Sequence, residues 1–195
     1  MLDNINFLIV GVGGQGTILS SDILSEVGME MGYDAKKSDI LGLAVRGGSV
    51  CSHVRWGKHV GSPMSMPGTI DYLIACEPLE SLRMLEYLKP DSTIIYNDYR
   101  LPPMLVSTGK AVYPSHEEVE KYLHLASKKV ISYDATTITQ QMGTAKAMNV
   151  MLLGTLCGVL GMDTAAWEKV IKKYVPAKYA TLNLDAFNAG RGMAK

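Results

Sequence analysis

Residues 7–16 read FLIVGVGGQG. Four apolar residues without alternation predict a strand covered on both faces, as in a parallel sheet. The glycines at 11, 13 and 16 then turn the chain into a helix from Thr17, with apolar positions at Leu19, Ile23, Leu24, Val27 and Met31. Strand, glycine turn and helix form the opening unit of an α/β fold. The loop also favours an anion. Glycines let the backbone approach a ligand closely, and the helix beyond presents free N–H groups and its positive dipole end. A pyrophosphate, a single phosphate or a carboxylate suits it equally. Gln15 carries an amide that donates and accepts, fit to orient a polar ligand or a facing backbone.

The spacing matches the G-x-G-x-x-G dinucleotide fingerprint, which makes a stand-alone NAD(P) or FAD oxidoreductase one alternative. That reading needs an acidic residue at the end of the second strand to hold a ribose. Asp39 is the available residue, but its KKSDI surroundings do not read as a buried strand, and Gly42 and Gly47-Gly48 follow closely. Another alternative is that the glycines serve only tight strand–turn–helix packing.

Working outward, strands are expected at 33–39, 49–56, 71–76, 93–96 and 130–133. Along 49–56, Val50, Val54 and Trp56 share one face, and His53 and Arg55 share the other, expected to be solvated. Helices are expected at 79–88, ended by Pro90; from Ser115, an N-cap ahead of Glu117, Glu118 and Glu120; at 142–160, apolar nearly all round; and at 164–174, stopped by Pro176. Residues 61–68 (GSPMSMPG) read as a surface loop, and the tail after Pro176 lacks strong periodicity. The expected architecture is a single α/β, Rossmann-like domain over residues 1–195. Its sheet is mostly parallel, with an antiparallel strand insertion around 45–66.

Composition narrows the function. Of 195 residues, 47% are apolar, and 19 basic residues balance 19 acidic ones, so no charge excess argues for nucleic acid or a membrane surface. The N-terminus reads as a first strand and not a signal peptide, and the longest apolar run, 147–162, is short for a span. A cytoplasmic protein is expected. Cys51, Cys76 and Cys157 are too few and too scattered for a four-cysteine iron–sulfur site, and they fit a reducing compartment. The histidines have no metal-ligand spacing, and no G-x-S-x-G nucleophile elbow is present.

A second constellation lies at 38–56, SDILGLAVRGGSVCSHVRW. Arg46, beside two glycines, is a side chain that grips a carboxylate or phosphate through two parallel hydrogen bonds. Asn97-Asp98 follows a buried strand, where α/β folds place ligand contacts. Asn149, in an apolar helix, must find backbone partners if buried.

Together GVGGQG and KKSDILGLAVRGGSVCSHVRWG resemble the gamma-type catalytic domain of the 2-oxoacid:ferredoxin oxidoreductases, and within it the beta subunits of the indolepyruvate branch. The likeness continues through SPMSMPGTIDYLIACEPLESLRMLEYLKP, with Glu77, Pro78, Glu80 and Arg83, then AKAMNVMLLGTLCGVLG and NLDAFNAG. It thus covers almost the whole chain. Of the family pattern S-[DE]-I-H-G-M-[AS]-Q-R-G-G, Ser38, Asp39, Gly42, Arg46, Gly47 and Gly48 fit, while Leu41 and Val45 replace its His and Gln. The resemblance implies oxidative decarboxylation of a 2-oxo acid such as indolepyruvate to an acyl-CoA, with electrons passed to ferredoxin. It places thiamine diphosphate and the iron–sulfur clusters in a larger alpha subunit, so this chain binds no cofactor of its own and works in a hetero-oligomer, with coenzyme A as co-substrate. No catalytic or metal-binding residue is expected here. Gly11, Gly13, Gly14, Gln15 and Gly16, with Arg46, Gly47 and Gly48, would form one wall of the centre, meeting coenzyme A phosphates, the substrate carboxylate or the partner's loops.

Overall fold

The computed structural model describes residues 4–42 and 47–194. Six strands, β1 (Ile5–Val12), β2 (Asp34–Leu41), β3 (Ser49–Gly57), β4 (Ile70–Ala75), β5 (Leu88–Asn97) and β6 (Lys129–Tyr133), form one sheet in the order β2-β3-β1-β4-β5-β6. β1, β4, β5 and β6 pair in parallel, and β3 runs antiparallel between β1 and β2. The inserted strand expected from the sequence is therefore β3, and it lies inside the sheet rather than at an edge.

Alternate residues of the central strands feed two cores. Phe7, Ile9, Val54, Trp56, Ile74 and Ile95 face one layer, which contains α1 (Thr17–Glu30), α5 (Ala135–Met142), α6 (Met148–Leu160), α7 (Ala165–Tyr174) and α8 (Ala180–Gly192). Leu8, Val10, Leu73, Ala75, Ile94 and Tyr96 face the other, under α2 (Pro78–Leu82) and α4 (His116–Ala126), with the short α3 (Met104–Ser107) between β5 and α4. Burial on both faces is why these strands read as unbroken apolar runs. Trp56 ties the larger core together: its ring meets Phe7 at 4.7 Å and Trp167 at 6.4 Å, and its indole N–H donates to the Leu24 carbonyl at 3.1 Å. Such aromatic pairs add about 0.5–1.5 kcal/mol each beyond their buried area.

Four local expectations change. Positions 79–88 do not make one helix: α2 stops at Leu82, a single 3₁₀ turn covers Leu85–Tyr87, and Leu88 already opens β5. Pro90 sits where the β4–β5 register shifts, the kind of irregularity that tolerates a residue without an N–H. The helix expected at 142–160 breaks at Gly143, whose φ of 131° leaves the helical region, and α6 starts at Met148. The tail beyond Pro176 forms α8, which packs along α6. His53 is only 1% exposed, and Arg55 is half-buried on Asn6 and the Ser62 carbonyl, because the 61–66 segment and the 3₁₀ turn fold over that face. Ser115 caps α4 as expected, and the Glu118 side chain returns the bond to complete a capping box. Among the described residues no helix is long and apolar enough to cross a membrane.

Candidate functional site

Five strands end, and β3 begins, at one rim of the sheet. After β1 the chain leaves toward β2; after β4 it leaves toward β5. The neighbours β1 and β4 therefore mark a topological switch point, where open α/β sheets form a crevice. The 13–16 loop lies there.

The two sequence constellations meet at this rim. The Gly13 N–H donates to the Gly48 carbonyl at 2.8 Å, which joins the β1–α1 turn to the strand entry of β3. Gly14 (φ 105°) and Gly47 (φ 75°) hold left-handed backbone, and a Cβ on either would meet nothing within 4 Å. Their freedom is needed for conformation and not for packing. Gly16 (φ 81°) is the N-cap of α1, and Asn149 presses against it, donating to its carbonyl at 3.1 Å. That is the backbone partner the buried Asn149 requires. Among the described residues the N–H groups of Gly14 and Gly16 have no partner, and α1 has neither a side-chain cap nor an acidic residue in its first turn.

Two of the expected wall residues are engaged within the scaffold. Gly11 is a packing glycine, since a Cβ there would come within 2.9 Å of Cys76. Gln15 turns its amide inward: Oε1 accepts from the Val12 N–H at 2.7 Å, and Nε2 donates to the Cys76 carbonyl at 2.9 Å, closing the β1–β4 crevice. Asn97 is spent in the same way, on Cys76 and Thr136. Arg46 and Val45 lie outside the described residues.

Three cavities surround the ridge of half-buried Gly13 and exposed Gly14. One of about 490 Å³ is lined by Gly14, Gly16, Ile18, Leu41 and Val50. One of about 440 Å³ lies between Gly13, Gly47 and the Leu101–Met104 segment. A smaller one of about 180 Å³ includes Gln15, Tyr99 and Lys146. Their walls are mainly apolar, and their polar groups include the Thr17 and Thr136 hydroxyls, the Gln15 amide, the Tyr99 phenol and the Lys146 ammonium.

Asp39 does not serve as a ribose ligand. Its strand β2 is separated from β1 by β3, about 10 Å away at ordinary strand spacing. Its carboxylate accepts from Ser52 (2.6 Å), Ser21 (3.0 Å) and Lys37 (2.6 Å), and Lys37 also meets Asp22. Burial pushes the Asp39 carboxyl up, but these hydrogen bonds and the Lys37 charge outweigh it and hold the group below its ordinary range. The three cysteines are buried and free; burial raises their thiols to about 11 at Cys51 and Cys157 and about 12 at Cys76, so they stay protonated. No group of three His, Cys, Asp or Glu among the described residues could hold a metal.

The ridge and its cavities thus lie together at the switch point of the sheet. Over residues 6–193 the sequence matches the pyruvate ferredoxin/flavodoxin oxidoreductase family. The chain belongs to that family. Indolepyruvate oxidoreductase subunit IorB of Pyrococcus horikoshii is 34% identical over 193 residues, covering 97% of this chain and 96% of the relative. The gamma subunit of a keto/oxoacid ferredoxin oxidoreductase from Geobacter sulfurreducens shares the fold with a TM-score of 0.72 at 21% identity, over 97% of this chain and 98% of that one. A 2-oxoglutarate:ferredoxin oxidoreductase from Magnetococcus marinus also shares it (TM-score 0.72, 17% identity); all of this chain matches 31% of that longer one.

The oxidoreductase-family chain has a hub that sequence reasoning quoted without a role. Glu77, 1% exposed, caps α2 by accepting from the Glu80 N–H at 3.1 Å, and it also accepts from the Leu101 N–H at 3.2 Å and the Tyr113 hydroxyl. Glu80, 3% exposed, accepts from the Ser49 hydroxyl at 2.5 Å. Burial raises the Glu80 carboxyl, opposed by the Ser49 hydrogen bond and the Arg83 charge. With the Cys76 carbonyl accepting from Gln15, residues 76–80 fasten the 13–16 loop, the start of β3 at Ser49 and the segment after β5 at Leu101 and Tyr113. Two glutamates in an otherwise apolar strand-to-helix junction were the available signal.

Proposed function

We propose that this chain is the cofactor-free subunit of a 2-oxoacid:ferredoxin oxidoreductase acting on indolepyruvate or a similar aryl 2-oxo acid in the cytoplasm. The overall change converts the 2-oxo acid, coenzyme A and two oxidised ferredoxins to acyl-CoA, CO2, two reduced ferredoxins and a proton. Thiamine diphosphate in the larger alpha subunit supplies the decarboxylating chemistry, and that subunit's iron–sulfur clusters carry the electrons. Three buried, protonated cysteines in separate elements do not fit a cluster in this chain. Its own part is geometric. The glycine ridge is one wall of the centre; the free N–H groups of Gly14 and Gly16 meet coenzyme A phosphate, and the apolar walls exclude water.

The observation that carries this reading is the Gly13–Gly48 hydrogen bond, which joins the two family-marking stretches into one open, anion-friendly ridge at the switch point. The 34% identity to an indolepyruvate oxidoreductase subunit supports the aryl substrate. The test is anaerobic co-expression with the larger subunit, followed by coenzyme A-dependent dye reduction on indolepyruvate, phenylpyruvate, pyruvate and 2-oxoglutarate. The reading expects activity from the complex alone, highest on the aryl acids. Activity of the isolated chain, or a complex indifferent to coenzyme A, would sink it.

A further inference from the structure

Between β5 and α4 the chain makes an excursion that the glycine ridge does not explain. Its neck is closed by one buried carboxylate. Glu77 receives both the Leu101 N–H and the Tyr113 hydroxyl, and the Arg100 guanidinium lies 5.4 Å from the centre of the Tyr113 ring. Burial and the Glu77 charge raise the Tyr113 phenol, so it remains a donor. Beyond the neck the lobe is turned inside out: Met104 is 80% exposed, Leu105 59% and Val112 94%. Clustered exposed apolar groups of this size mark interaction surfaces. From Tyr99 to Ser115 the sequence holds Arg100 and Lys110 and no Asp or Glu. The base of the lobe, Leu101 to Met104, is also a wall of the cavity beside Gly13 and Gly47.

We infer that the 101–112 lobe is the docking knob for the larger subunit, entering an apolar groove rimmed by carboxylates. The inference rests on the function proposed above and specifies where the partner engages. Charge complementarity fixes the rim's sign, and continuity with the Gly13–Gly47 cavity fixes the occupant, because whatever completes that cavity must also cover Met104. Glu77 acts as a positioning residue, holding the knob at one angle to the ridge so that docking and closure of the cavity are one event.

The experiment uses the co-expressed complex and measures association by sedimentation. Met104→Glu/Leu105→Glu should weaken binding of the larger subunit about 100-fold, with circular dichroism and melting temperature unchanged. Leu125→Glu, on α4 and 74% exposed, should leave binding within about twofold. Lys110→Glu should weaken binding about tenfold at low salt and flatten its salt dependence. A double variant that assembles at full strength would overturn the knob and leave the proposed function standing. A wild-type chain that binds no larger subunit would overturn both. A dimer of this chain alone, abolished by the double variant, would reassign the lobe to self-association.

Discussion

Two sets of glycines do opposite work in this molecule. At the rim, Gly14 and Gly47 adopt left-handed backbone with open space where a side chain would start. Between α6 and α8, Gly154 and Gly190 are ordinary helical residues, but a Cβ on Gly154 would strike the Phe187 carbonyl, and one on Gly190 the Met151 carbonyl. The first set keeps a surface clear; the second lets two helix backbones touch. The same residue type thus marks the most open and the most closed parts of the chain, and only the surroundings tell which is which.

The largest effect should come from the closed set. Gly154→Ala or Gly190→Ala drives a methyl into main chain that has no rotamer to yield. A loss of about 3 kcal/mol follows, or a fall of about 6–12 °C in melting temperature. A shift under about 2 °C would break the comparison by showing that the helices can part cheaply.

Gly14→Ala should cost only backbone strain, about 1–2 kcal/mol, because nothing obstructs the new methyl. In the complex, however, it should raise the KM for coenzyme A roughly tenfold while leaving assembly intact, the equivalent of about 1.4 kcal/mol of binding. An unchanged KM with the expected loss of stability would mean that the ridge is clear for a reason other than coenzyme A.

The smallest effect belongs to the Asp39 network, which matches a dinucleotide fold's ribose ligand in sequence spacing but lies two strands from β1. The Asp39 carboxyl lies below its ordinary range in the folded chain, so its contribution is complete above the unfolded value of about 3.9 and disappears as pH falls through the lower folded value. The stability difference between wild type and Asp39→Asn should be constant near neutrality and vanish in acid. Calorimetry with NAD should give no binding heat for either protein. Tight NAD binding lost in Asp39→Asn would restore the dinucleotide reading.

The sheet was legible because its central strands are buried on both faces, and Phe7–Val10 announced this in four residues. The likeness to the family was legible in the 38–56 stretch and the Glu77–Arg83 segment. What escaped the sequence depended on contacts remote along the chain. His53 and Arg55 alternate like a solvated face, and only the 61–66 segment folding back makes them interior. The α8 helix was invisible to a search for large apolar residues, since Gly190, Ala186 and Asn183 make its buried side along with Phe187. The 79–88 pattern has a spacing of three, which a short helix, a 3₁₀ turn and a strand entry satisfy jointly. At the site, Gln15 was expected to face a ligand or a facing backbone, and the choice depended on Cys76, 61 residues away.

The antiparallel β3 has one more consequence. Eight register pairs hold β2 against β3 from Asp34–Gly57 to Leu41–Val50, so the connection between them is closed by the sheet itself. Doubling the length of such a loop costs only about 0.6 kcal/mol in closure entropy. Its described end, Gly48, is bonded to Gly13 at the rim. Divergence within this fold can therefore proceed by changing the length and sequence between β2 and β3, while strand order, both cores and the helix contacts pass unaltered to the descendant.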